Sequence, residues 1–430
     1  MNKELKLVIP ELRFDEPTGH WAITRVSKIC DVYRGSTFSK SDINEDGTEL
    51  CIHYGELFTK YSEIILDIYS RTDKKDGFRS ESGDILMPSS DVTPDGLAKA
   101  SAITLDDVLL GGDMNILRPK LRVNSIFLSY LLNHSKREII KLVSGTTVKH
   151  IYPKQIITCQ IPIVDNESQQ QKIADCLSSL DKLIVAHNKK LEALKDHKKG
   201  LLQNLFPQEG ETVPKVRFPE FEKDGEWDLI QFSDSIKLYR GSSPRPIKQF
   251  RTESDDGVNW IKIGDTGSED DHVISKVEEK ITKEGAKKSR EVWKGELILA
   301  NSMSYGRTYL LELDGYIYDG WFVLREYEND FDKQFLLQIL NSDYMQEQYE
   351  KFAAGGIVKN ISSKIVYDTM LPKPSKKEQQ KIASFLSIID KLISEQINKI
   401  EELQQHKKGL MQGLFPKVKS GIIFYFDLLQ

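Results

Sequence analysis

The sequence predicts an α+β protein in which two globular domains, related by a pseudo-twofold axis, are separated by two long antiparallel coiled-coil helices. Three observations carry that expectation. Residues 170–207 return as residues 379–416 with 23 of 38 positions identical, a duplication whose period of 209 residues lies far beyond the roughly 20 to 50 of a solenoid repeat. Inside the repeated segment, apolar residues recur at the roughly 3.5-residue spacing of a coiled-coil seam. In front of each copy stand roughly 150 residues of short β-rich runs bounded by Gly, Asp, Asn and Pro, the pattern of a compact, mostly β body.

The first domain, residues 1–165, opens with PELRF at 10–14, Trp21 and VYRGS at 32–36. It continues through the strand-like runs SEIILDIY (62–69) and GDILMPS (83–89) and a helix-like run from Ser125, and closes on SGTTVKHI (144–151) and a QIP ending at Pro162. The first long helix, within residues 166–208, carries its seam at Ile173, Leu177, Leu180, Ile184, His187, Leu191, Leu194, Lys198, Leu201 and Leu205. At about 1.5 Å per residue it is about 55 Å long. Pro207 supplies its stop signal, and Gly200, worth about 1 kcal/mol against a helix interior, marks an expected bend or early end.

The second domain, residues 209–374, repeats the frame with PKVRF at 214–218, Trp227, LYRGS at 238–242, AGGIVKNI at 354–361 and MLP ending at Pro372. Its own strand-like runs are GELILANS (295–302) and GYIYDGWFVL (315–324), followed by a helix-like run from Phe335. Residues 37–142 and 243–352 show almost no alignment with each other, so the frame repeats and the filling diverges. The second long helix, within residues 375–416, carries Ile382, Leu386, Ile389, Ile393, Gln396, Ile400, Leu403, Lys407, Leu410 and Leu414 at the seam, with Gly409 and Pro416 in the places of Gly200 and Pro207. Both seams are interrupted at the same two positions. Neither stays in water, so the two helices are expected to bury each other, and a twofold relation makes them antiparallel. The tail, 417–430, has no counterpart after Pro207 and receives no role.

Composition excludes several function classes. The chain is 39% hydrophobic and 29% charged with a net charge of −5, so any nucleic-acid contact rests on local patches rather than an overall basic excess. Four cysteines without CxxC spacing argue against a disulfide framework or a zinc site and fit a reducing cytoplasm. No apolar run approaches the roughly 18 to 20 residues of a membrane span. Phosphate-loop, GxGxxG, GxSxG and HExxH signatures are absent. His197 and His406 recur in HKKG near a helix end, where a solvated or dipole-complementing role suits them better than catalysis. The chain is therefore expected to do no chemistry by itself.

The duplicated blocks, PxxRF followed by Trp and YRGS, the G-x-x-V-K block with its downstream Pro, then QQKIA, DKLI and HKKGLxQxLFP, resemble the specificity subunit of type I restriction-modification enzymes over the chain up to Pro416. The resemblance implies a non-catalytic subunit in which each variable insert reads one half of a bipartite, gapped double-stranded DNA site. It implies that the helices set the spacing and dock two methyltransferase subunits, and that two restriction (translocase-nuclease) subunits join in the full complex. S-adenosylmethionine, ATP and Mg then belong to those partners, none of them to this chain. Half-sites on one face of B-DNA lie about 34 Å apart per turn, within the helix length.

For DNA contact, Arg34 with Gly35 and Arg240 with Gly241 sit in tight turns after a strand, and Lys149 and Lys359 in the Gly-rich block before the helix suit phosphate. Base-reading groups are expected in the divergent parts, at Ser89, Ser90, Asn301, Ser302, Ser304, Tyr305 and Arg307. Trp21 and Trp227 suit packing. Two other functions fit the same frame: a stand-alone pseudo-dimeric DNA-binding regulator, and a coiled-coil scaffold that never meets DNA.

Overall fold

Each long helix begins where a polar side chain caps it. The computed structural model describes residues 9–14, 19–36, 38–208, 210–267, 272–302, 306–353 and 360–417; Ser304, Tyr305, Lys359 and the tail from residue 418 lie outside the described residues. The Asn166 side-chain oxygen accepts from the Gln169 N–H at 3.0 Å and the Ser375 hydroxyl from the Glu378 N–H at 3.4 Å, each satisfying a donor the first turn leaves open. From there the helices run Glu167–Leu205 and Lys376–Leu414, 39 residues each. The expected end at Gly200 and Gly409 does not occur: both lie inside their helices, and a Cβ at either would meet nothing within 4 Å. Packing along the rest of the helix offsets the propensity cost.

The chain forms two compact units, Met1–Asn188 with Asn398–Gln430, and Lys189–Ile397. Each helix is thus divided between them. In the first unit the opening of the first helix (Ile173, Ala174, Leu177) and the close of the second (Leu414, Phe415) share one core with Trp21, Phe127 and Leu131. In the second unit the close of the first helix (Leu205, Phe206) and the opening of the second (Ile382, Ala383, Leu386) share one core with Trp227, Phe335 and Leu371. Start beside end in both units makes the helices antiparallel.

The seam positions do two jobs. Ile173, Leu177, Ile382 and Leu386 enter the cores of the globular bodies, while Ile184, Ile400 and Leu403 in the first unit and Ile389 and Ile393 in the second are buried along the helices. Leu180, Leu191 and Leu194 are half-buried. The lysine interruption has a reason: Lys407 meets Asp181 at 2.7 Å and Glu63 at 2.8 Å in the first unit, and Lys198 meets Asp390 at 2.7 Å in the second. From Asp181 to Lys198 is 17 residues forward, and from Lys407 to Asp390 is 17 back. The two pairs are one contact made twice.

Inside the sheets the diverged filling keeps one topology. The first unit orders Cys30–Arg34, Met114–Pro119, Ile85–Pro88, Ser101–Ile103 and Ile64–Ile65 in a five-stranded sheet; the second orders Lys237–Arg240, Trp321–Arg325, Leu297–Ala300, Thr308–Leu311 and Val273–Ile274. In both, the last strand joins parallel and the others antiparallel. A second sheet, four-stranded in the first unit and five-stranded in the second, repeats in three strands. Leu109–Leu110 lies parallel to Glu49–Ile52 and antiparallel to Phe78–Arg79, as Gly315–Ile317 lies parallel to Val258–Ile261 and antiparallel to Arg290–Val292. A ribbon closes each body at its helix: Trp21–Arg25 on Gln160–Val164, and Asp228–Gln231 on Met370–Lys373.

Candidate nucleic-acid interface

The repeated YRGS marks the point where the chain leaves one sheet for the other. Beyond Arg34, the Gly35 N–H donates to the Met114 carbonyl and the Ser36 N–H to the Leu110 carbonyl, both at 3.0 Å; Gly241 and Ser242 do the same to Trp321 (2.9 Å) and Ile317 (3.2 Å). A Cβ on Gly35 would stand 1.9 Å from the Gly111 carbonyl oxygen, and one on Gly241 2.0 Å from that of Tyr318. Both glycines are thus required by backbone crossing backbone, a need that holds independently of any DNA contact. The arginines do face outward. Arg34 reaches Asp113 at 3.2 Å and lies over the Tyr152 ring, while Arg240 is exposed with Nε donating to the Asp319 carbonyl at 3.3 Å.

Several expected base-reading groups are interior. Ser89 is 1% exposed with its hydroxyl unpartnered among the described residues, and Ser90 is buried beside it. Asn301 is buried, its amide donating to the Asp319 carbonyl at 2.9 Å, and the half-buried Arg307 donates to the Asn341 carbonyl at 3.3 Å. Lys149 is turned onto its own loop, donating to the Gly145 and Thr146 carbonyls at 2.9 and 2.7 Å. The physical reason is pairing: the Gly-rich block lies across the strand end, with Lys149–His150 on Ser90–Asp91, the Ile151 N–H on the Ser89 carbonyl, and in the second unit Ser302 bridged to Asn360 and the Ile361 N–H on the Asn301 carbonyl. As surface readers, Ser89, Ser90 and Asn301 are withdrawn, whereas Arg307 keeps partial exposure. Ser302 remains half-exposed.

What the residue search missed is a local excess of charge in the second unit. Residues 240–251 and 280–290 hold nine Lys and Arg against one acidic residue, Glu284, in a chain of net charge −5. The fold joins the two segments. Arg251–Thr252 pairs antiparallel with Lys280–Ile281, the Thr282 N–H donates to the Phe250 carbonyl at 2.8 Å, the Ser242 hydroxyl to the Lys288 carbonyl at 2.9 Å, and Arg290 Nε to the Arg240 carbonyl at 3.2 Å. Arg251 pairs with Glu279 at 2.9 Å and Arg245 approaches Asp319 at 3.7 Å. A cleft of about 370 Å³, lined by Arg240, Asn301, Phe322, Asn360 and Tyr367, opens beside this surface. Clustered cations beside exposed backbone and hydroxyl groups suit phosphate. A running charge count over short windows was the signal that would have found them.

Elsewhere the chemistry is structural. Burial pushes the Cys30 and Cys159 thiols up to about 12 and Cys51 up to about 11, opposite to an activated nucleophile. Among the described residues no cluster of His, Cys, Asp and Glu is arranged to hold a metal ion, and no helix is long and apolar enough to cross a membrane. Trp21 and Trp227 are core residues, Trp21 tilted against Phe127 (6.0 Å between ring centroids) and Trp227 edge-on to Phe335 (6.1 Å).

Comparison with known proteins agrees with this geometry. The family described as type I restriction modification DNA specificity domain matches twice, over residues 19–196 and 225–405. The type I restriction enzyme MjaVIII specificity subunit of Methanocaldococcus jannaschii is 25% identical over 326 residues, 71% of this chain and 73% of that protein. The putative type I restriction enzyme MjaX specificity subunit of the same organism is 26% identical over 317 residues, 71% of each chain. In fold, the chain is similar to the crystal structure of the type I restriction-modification system S subunit from M. genitalium, with TM-score 0.61 and 16% identity, covering 95% of this chain and all of that one.

Proposed function

From the premise that this chain belongs to the type I restriction-modification DNA specificity family, we propose how its two units divide the work of a DNA sequence-recognition subunit that is not catalytic alone. Each unit reads one half of a bipartite, gapped duplex site. The two long helices set the gap and dock two methyltransferase subunits, with two restriction subunits completing the complex in the cytoplasm. S-adenosylmethionine, ATP and Mg act on those partners.

One observation carries the reading: the same five-strand order is built twice around sequences that do not align over residues 37–142 and 243–352. A fixed scaffold with a variable surface is what two readers of different half-sequences require, because base contacts must change while the register on the duplex must not. A coiled-coil scaffold that never meets DNA has no such need, and the family match favours a specificity subunit over a stand-alone DNA-binding regulator.

The test is to co-express the chain with its modification subunits and map methylated adenines across a genome. Replacing residues 243–352 alone should change one half of the methylated motif. A change in both halves, or methylation by the purified chain without partners, would overturn the division.

A further inference from the structure

We infer that the two domains hold their half-sites by different physics, the second acting as an electrostatic anchor on the DNA phosphates and the first contributing little charge. This rests on the DNA-reading function proposed above. The comparison is between matched surfaces, because strand register pairs the units residue by residue: Phe78 opposes Leu110 as Arg290 opposes Ile317, and the serine after each YRG hands its N–H to those same two partners.

On the first unit the relevant segments, residues 34–48 and 70–79, hold six Lys and Arg against five Asp and Glu; on the second, residues 240–257 and 280–291 hold nine against five. Ion pairing widens the gap. In the first unit Arg34 is taken by Asp113, Lys74 by Asp42 at 3.0 Å, and Arg79 by Glu49 at 2.8 Å and Asp107 at 3.3 Å. Lys40, Arg71 and Lys75 are left without a carboxylate in ion-pair reach among the described residues. In the second unit Arg245 and Arg251 are taken, leaving Arg240, Lys248, Lys280, Lys283, Lys287, Lys288 and Arg290 among the described residues. The substitution is visible at one matched site. Where the first unit sets Phe78 against Tyr33 with ring centroids 5.4 Å apart, the second sets the Arg290 guanidinium over Tyr239 at 5.7 Å. Two residues earlier in the chain, Lys288 stands where the first unit has Asp76.

Free cations near a duplex displace condensed counterions, and log affinity falls with log salt by about 0.9 for each phosphate neutralised. The experiment uses the chain assembled with its modification subunits and a duplex carrying its mapped methylation site, titrated between about 50 and 200 mM salt. Lys248→Gln/Lys287→Gln/Lys288→Gln should lower the slope by about 2 to 3 and leave the methylated sequence unchanged. Lys40→Gln/Arg71→Gln/Lys75→Gln, at cations interleaved with Glu45, Asp46, Asp73 and Asp76 that offset their field on the phosphates, should lower it by less than about 1. All six positions are surface side chains, and an unchanged melting temperature shows that each variant is folded. Equal slope changes in the two variants, or no change in the second-unit variant while wild type binds its site specifically, would overturn the anchor alone. Failure of the wild-type assembly to prefer its site over random duplex would overturn the DNA-reading function and the anchor with it.

Discussion

Glu378→Gln converts one position of the second unit into its counterpart in the first, where residue 169 is already glutamine. The carboxylate of Glu378 is 1% exposed and grips Arg217, itself 8% exposed, through two parallel bonds: Nε to Oε1 at 2.7 Å and Nη2 to Oε2 at 2.8 Å. It also accepts from the Trp227 indole N–H at 3.2 Å. An amide keeps one acceptor but turns an NH2 donor toward a guanidinium that only donates, so a buried positive charge loses its partner. Breaking a buried pair costs about 3 to 5 kcal/mol. The lower end applies, because Arg217 also donates to the Gly225 carbonyl at 2.5 Å and one oxygen remains. A loss of about 3 kcal/mol should lower the melting temperature by about 6 to 12 °C for a body of this size. Scanning calorimetry of the variant beside Arg217→Met/Glu378→Met decides it, since removing both charges together should cost far less than removing one. A single variant within about 1 kcal/mol of wild type, or a double variant as unstable as the single one, would refute the argument that the charge pair rather than the packing matters here.

Further outcomes follow from the same geometry. Lys407→Met should destabilise by about 3 kcal/mol, more than Lys198→Met, because Lys407 faces two carboxylates and Lys198 one. Burial holds the Asp181 carboxyl above its ordinary range. Lys407 lowers that carboxyl against its burial, so Lys407→Met raises it further; the deficit, read by denaturant titration, should be fully present only above the variant's higher value and shrink as pH falls through it. Gly35→Ala and Gly241→Ala should each cost about 3 kcal/mol or more by forcing a methyl onto a carbonyl oxygen, whereas Gly200→Ala and Gly409→Ala, facing open space, should each stabilise by up to about 1 kcal/mol; melting temperatures separate the two pairs. Four residues inserted after Lys190 and four after Lys399 keep the 17-residue separations matched on the two helices and lengthen both by about 6 Å. Methylation maps should then show the gap changed by about two base pairs with both half-sequences intact, and an insertion in one helix alone should fail to fold.

The helices, their antiparallel pairing and the packing role of Trp21 and Trp227 were readable from residue order, because helix periodicity is local and an identical repeat states its own symmetry. The polar interruptions at Lys198 and Lys407 were visible too, though not their carboxylate partners. Strand order was a different matter. GDILMPSS at 83–90 and GELILANS at 295–302 occupy equivalent strands, and Asp84 with Arg118 (2.8 Å) repeats as Glu296 with Arg325 (2.6 Å). That equivalence rests on hydrogen bonds between segments dozens of residues apart, which an alternating apolar pattern does not specify. The same non-local pairing set Ser89 against Ile151 and Asn301 against Ile361 and brought the cations around Arg240 and Lys288 onto one surface. A polar residue type marks what a side chain is able to bind, and only its neighbours in the fold settle whether it meets solvent.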